Sequence, residues 1–157
     1  MKTAVHRLIQ SLPQTNPRLP HELQLKIAAL GEFAVRARSQ VPRDGSSKLI
    51  LTVPEPESAT RMPQQLPQLA KGSALIAGRD VVSEDDYAIA RRAAFDSIPA
   101  VRRNVLDLLI AGSNISLAQL PPSTLHYVTE ELQSLGLLCN NALSTLAQDL
   151  LRTAGII

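Results

Sequence analysis

Ser123 to Leu138 reads Ser-Thr-Leu-His-Tyr-Val-Thr-Glu-Glu-Leu-Gln-Ser-Leu-Gly-Leu-Leu, and its spacing decides how the C-terminal third is read. Leu125, Val128, Leu132 and Leu135 recur at helical steps, which predicts a helix from Ser123 to Leu135 with one buried face. Gly136 supplies its C-cap, because glycine takes the left-handed conformation that ends helices. Leu137-Leu138 then predicts a short strand and Asn140-Asn141 a tight turn. Upstream, Val101, Val105, Leu108 and Leu109 predict the buried face of a first helix, ended by Gly112. Ser116 to Leu120 predicts a short second helix, stopped by Pro121-Pro122. Downstream, Ser144 caps a last helix from Thr145 to Thr153.

This succession of helix, short helix and helix opening on Ser-Thr and closing on Gly-Leu resembles winged-helix modules. The resemblance implies a recognition helix whose Ser123, Thr124, His126 and Tyr127 face the major groove of DNA. Its N-terminus would offer hydroxyls and amide N–H groups to phosphates. That helix carries no Lys or Arg, and Glu130 and Glu131 repel phosphate. The wing is reduced to Asn140-Asn141. Phosphate contacts would therefore come from Arg102 and Arg103 on the first helix and Arg91 and Arg92 on the helix before it. The acidic pair supports an alternative, in which the winged helix docks a partner protein or joins two copies of the chain.

Further upstream, prolines at 13, 17 and 20 make a linker after a short amphipathic segment from Ala4 to Leu12. A long helix is predicted from His21 to about Gln40, with Leu23, Ile27, Leu30, Ala34 and Ala37 as its buried stripe and Arg36 and Arg38 off it. Pro42 and Asp44-Gly45 end it in a turn, and Lys48 to Val53 is the best strand candidate. Thr60 would cap a helix burying Leu66, Leu69 and Ala70 and stopping near Gly78. Pro67 predicts that this helix kinks or starts late. Ser83-Glu84-Asp85-Asp86 gives a cap, an acidic first turn and a capping-box partner. Val82 and Tyr87 sit at the positions of a hydrophobic staple, and the helix so begun runs to about Asp96.

The run Thr60-Arg61, the aliphatic helix through Leu66 and Leu69, and Gly78-Arg79-Asp80-Val81-Val82-Ser83-Glu84-Asp85-Asp86 together resemble the small helical lid of AAA+ ATPases. They are most similar to the minichromosome-maintenance helicase and magnesium-chelatase branch, over residues 19–97. The resemblance implies that Arg61 is a sensor-2 residue, which reaches the nucleotide γ-phosphate. It also implies an AAA+ motor domain as partner, with the chain either the C-terminal part of a larger enzyme or a relict whose motor domain has been lost, and in several such ATPases a winged helix follows the lid directly.

Composition fits a mainly α protein. Hydrophobic residues make up 45% of the 157, with two Phe, two Tyr and no Trp, and such aliphatic chains favour helices. The net charge of +2 is too small to argue for nucleic acid by itself. Cys139 stands alone, which excludes an internal disulfide and a cysteine-based metal site, and it is expected to be a small buried hydrophobe. There is no phosphate loop, and His6, His21 and His126 lack metal-ligand spacing. Neither a catalytic constellation nor a metal or cofactor site is therefore expected. The broken apolar pattern of the first residues and the absence of a membrane-length apolar run predict a cytoplasmic protein. The expected organisation is a terminal segment and linker over residues 1–18, a lid-like helical bundle over 19–97, and a winged helix with a reduced wing over 98–157.

Overall fold

The computed structural model describes residues 15–52 and 61–157. The segment expected from Ala4 to Leu12, Val53 of the strand candidate and the Thr60 cap lie outside the described residues. The described chain is mainly helical. Its α-helices are α1 (His21–Arg38), α2 (Arg61–Ile76), α3 (Glu84–Asp96), α4 (Ala100–Ile110), α5 (Pro122–Ser134) and α6 (Thr145–Thr153). A short 3-10 helix (Ile115–Ala118) lies between α4 and α5, and strands β1 (Leu138–Cys139) and β2 (Ala142–Leu143) lie between α5 and α6. No helix among the described residues is long and apolar enough to cross a membrane.

Helix α1 is the axis of the fold. All five residues of its expected stripe are buried, but so are Ala29, Phe33 and Val35, which point elsewhere. A helix buried on most of its circumference needs neighbours on several sides. They are α2, α3 and α6. Gly31 is the crossing point with α2: a Cβ there would meet Pro63 Cγ at 3.1 Å. Helix α2 runs continuously from Arg61 to Ile76 with Pro67 inside it, so it does not start late. Proline at 67 removes one amide donor, but Leu66, Ala70 and Ala74 are buried and hold the helix in place. Leu69, expected to face inward, is 40% exposed.

Asp86 closes the N-terminus of α3 as its spacing from Ser83 predicts, and does more. The Ser83 amide donates to Asp86 Oδ2 at 2.9 Å, and the Ser83 hydroxyl lies 3.0 Å from the same oxygen. On the other oxygen, Ser73 Oγ of α2 donates at 2.6 Å and Arg79 Nη2 at 2.6 Å. The carboxylate is fully buried and ties α2, the connecting loop and α3 together. Val82 and Tyr87 are buried as a staple requires, and the Tyr87 hydroxyl donates to the Ala154 carbonyl at the end of α6.

The strand expected from Lys48 is absent over its described part. Ile50 makes only an isolated antiparallel bridge with Arg43, in a tight hairpin turned around Asp44. Among the described residues no further strand lies alongside, and Leu49 and Leu51 are 68% and 61% exposed. On α4 the buried face is rotated from the expected one. Val105 and Leu106 are fully buried, Leu108 and Leu109 are half-buried, Val101 is 39% exposed, and Arg102 turns inward.

Helix α5 ends as Gly136 predicts. At φ +72° this residue donates its amide to Gln133, while the Leu137 amide reaches the Leu132 carbonyl. The hairpin pairs Leu138 with Leu143 and Cys139 with Ala142, and Asn140 and Asn141 both take positive φ, the signature of a type I′ turn. Strand alternation then settles Cys139. Leu138 points into the core, so Cys139 points outward and is exposed, contrary to its expected burial. Ser144 caps α6, its hydroxyl accepting from the Ala147 amide at 3.1 Å. Helix α6 packs on α1, so the elements on either side of Ser97 share one hydrophobic core.

Two stability measurements check this packing. Leu132 is fully buried, so Leu132→Ala is expected to cost about 2–5 kcal/mol in urea unfolding. A cost below about 0.5 kcal/mol would mean an exposed position. Burial pushes the Asp86 carboxyl pKa upward, but hydrogen bonds from Ser73, Ser83 and Arg79 outweigh it, and the net shift is downward. A lowered folded-state pKa gives stability that is present above the ordinary Asp pKa and lost as pH falls through the folded value. Unfolding midpoints should therefore drop on acidification below about pH 4, and Asp86→Asn should lower stability at neutral pH and flatten this acid limb.

Candidate nucleic-acid interface

The N-terminus of α5 is the part expected to meet DNA. Pro121 is its N-cap and Pro122 its first residue. Of the four amide donors a helix start leaves free, these two prolines supply none. The first intrahelical bond is Leu125 N–H to the Pro121 carbonyl, leaving the amides of Ser123 and Thr124 at the tip. The phosphate-binding capacity inferred from a generic helix start is thus reduced. Ser123, His126 and Tyr127 are exposed and Thr124 is half-buried. The His126 ring lies beside Tyr127, with centroids 5.7 Å apart, and its Nε2 is 3.5 Å from Glu130. The Tyr127 ring is in turn overlaid by the Arg43 guanidinium, 4.9 Å from its centroid.

Glu130 and Glu131 do not stand as an open acidic face. Arg43 donates from Nε to Glu131 at 3.2 Å and from Nη1 to Glu130 at 3.0 Å. The same guanidinium reaches the carbonyls of Lys48 at 2.8 Å and Tyr127 at 2.9 Å. Burial disfavours the Arg43 cation, but its bonds to Glu130 and Glu131 outweigh this and raise its pKa. Arg102 approaches Glu131 from the other side, with Nε and Nη2 on one carboxylate oxygen at 3.0 and 2.9 Å. Its Nη1 donates to the Ala37 and Ser39 carbonyls at the end of α1, at 3.0 and 2.6 Å.

Arg102 is therefore corrected as a phosphate contact. It is 7% exposed and its donors are spent inside the fold. Glu130 and Glu131, expected to repel phosphate, are paired with Arg43 and Arg102.

The remaining arginines group elsewhere. Arg91 and Arg92 of α3 and Arg103 of α4 line a pocket of about 370 Å³ together with Ala88 and Phe95. Arg103 is held by Asp96 and by Asp107 at 3.4 Å, and these carboxylates raise its pKa. Arg92 is 85% exposed and 3.7 Å from Asp96. Arg91 is exposed and makes no ion pair with a described residue. None of these three adjoins α5 in the pocket lining, so the structure divides the expected site residues into two groups. Arg61, the expected nucleotide-sensing residue, is exposed at the first position of α2. A second groove, of about 600 Å³ and without a charged side chain in its lining, opens beside the hairpin, where apolar Leu109, Ile115 and Leu143 alternate with polar Asn114, Asn141 and Gln148. Among the described residues no cluster of His, Cys, Asp and Glu could hold a metal ion.

Arg43 is the residue that sequence reasoning misses. It lies 87 and 88 residues from its carboxylate partners, so no periodicity could link them. Comparison with protein-family models, curated proteins and solved structures finds no match.

The two glutamates should differ in stability. Glu131 is 20% exposed and faces both guanidiniums, so Glu131→Ala is expected to cost about 3–5 kcal/mol by stranding the buried Arg102 cation. Glu130 is 39% exposed, and Glu130→Gln should cost less than about 1 kcal/mol. Urea unfolding of the two variants checks this, and equal small losses would mean that the Arg102 pair behaves as a surface ion pair.

Proposed function

We propose that the chain is a non-catalytic winged-helix interaction module that docks a protein partner. One observation carries this reading. The face of α5 that would read DNA is neutralised from within, because Arg43 and Arg102 spend their donors on Glu130, Glu131 and backbone carbonyls. A DNA reader needs cations turned outward to neutralise phosphates, since that term dominates affinity. Here the exposed residues of α5 include Ser123, His126 and Tyr127, with the Arg43 guanidinium stacked on the Tyr127 ring. An aromatic ring held by its neighbours is the kind of anchor that protein interfaces use. The groove beside the hairpin adds a concave surface of mixed apolar and uncharged polar side chains, a composition common in protein interfaces. On this reading α1 to α3 form the lid-like support, and Arg61 would face a nucleotide held by a separate AAA+ motor domain.

The second reading, DNA binding, draws on the exposed Arg91 and Arg92. Fluorescence anisotropy with a labelled mixed-sequence duplex separates the two. The docking reading expects at most weak binding near 50 mM salt that is gone by about 200 mM. The opposite result would overturn it: tight binding at physiological salt, with a log K versus log[salt] slope that falls by about 0.9 for each phosphate interaction removed by Arg91→Ala and Arg92→Ala.

A further inference from the structure

We propose that the pocket between α3 and α4, rimmed by Arg91, Arg92 and Arg103 over the Phe95 ring, binds an acidic segment of a partner protein. The segment would carry Asp or Glu side chains beside one apolar side chain. This proposal rests on the protein-docking reading and assigns it a surface and a partner chemistry.

Charge is the first argument. Three of the five residues that line this concavity of about 370 Å³ are arginines. The carboxylates that face them are Asp96, shared between Arg92 and Arg103, and Asp107, which touches Arg103 alone. Arg103 is thereby fixed in place, while Arg92 is held loosely and Arg91 makes no ion pair among the described residues. The result is a cationic lining in which Arg103 is paired on two sides while Arg91 and Arg92 are exposed to solvent. Arginine suits this role, since its planar fork accepts a carboxylate in two parallel hydrogen bonds.

The floor supplies the second argument. Phe95 and Ala88 line the pocket, and the Arg103 guanidinium lies 5.9 Å from the Phe95 centroid. A lining that combines these arginines with Ala88 and the accessible edge of Phe95 suits an acidic peptide with an apolar side chain. A duplex backbone would present only phosphate and sugar to the rim, leaving the floor unused. The pocket also lies away from α5, so its use needs no cation from the helix whose charges are spent.

The test uses the full chain and a fluorescein-labelled peptide of alternating Glu and Leu, with a Gln-Leu peptide as control, in anisotropy titrations at low salt. The Glu peptide should bind and the Gln peptide should not. Arg91→Glu with Arg92→Glu should weaken binding by about tenfold or more, because like charges then face the ligand. A variant of equal charge change, Arg38→Glu with Arg152→Glu, both exposed and outside the pocket, should stay within about twofold of the parent. Circular dichroism melting confirms that both double variants fold. Equal weakening by the two variants, or no binding of the Glu peptide, would overturn the site while leaving the docking reading intact. Duplex binding at physiological salt that disappears in the Arg91/Arg92 variant would overturn the site and the docking reading together.

Discussion

Arg102 is the residue on which the arrangement depends. Helix α1 ends without a glycine cap, and the last carbonyls of any helix need donors from elsewhere. Arg102 provides them from α4, bonding Ala37 and Ser39 with one guanidinium nitrogen and Glu131 of α5 with the other two. A single cation thus terminates one helix, favoured there by the negative end of its dipole, and fixes the position of two others. Burying a guanidinium costs several kcal/mol unless its donors are satisfied, and four of the five are engaged here. What such a buried ion contributes is specificity of arrangement, because few relative placements of α1, α4 and α5 satisfy all these partners at once.

Local features of the fold are legible in the sequence. The stripe of α1, the Ser83–Asp86 cap, the Gly136 turn, the Asn140-Asn141 hairpin and the Ser144 cap all depend on residues a few positions apart, and each forms where its spacing indicates. The inward turn of Arg102 is not legible, because a charged residue reads as a solvated face unless its distant partners are known. That one reversal rotates the buried face of α4 and exposes Val101. The strand candidate fails for a related reason. The apolar run Leu49, Ile50 and Leu51 suits a strand, but a strand needs a neighbour to pair with, and among the described residues it meets just the short stretch from Pro42 to Asp44. Cys139 illustrates the limit of residue-type averages, since the register of a two-residue strand decides its exposure.

For the candidate site, the residue types are legible but their availability is not. The four arginines expected to act together divide between an internal ion network and an outward pocket. Arg102 and Arg103 are adjacent on a helix, and adjacent helical residues point about 100° apart. Likewise the two glutamates, which read as a source of repulsion, are counterions to a cation from a distant part of the sequence. The electrostatic character of α5 is therefore a tertiary property. It is visible only once the Asp44 turn has folded Arg43 back over Tyr127.

The packing of α6 against α1 bears on how the chain acquires its fold during synthesis. Helix α1 leaves the ribosome before α6, with apolar residues on several of its sides. In the interval α2 and α3 can cover two sides of α1, but the side that receives α6 stays exposed, and the Tyr87 hydroxyl lacks the Ala154 carbonyl. Contacts between distant segments form slowly, since loop closure precedes any gain from burial. Until α6 has been synthesised, the nascent chain therefore carries an uncovered apolar side of α1, open to non-native association.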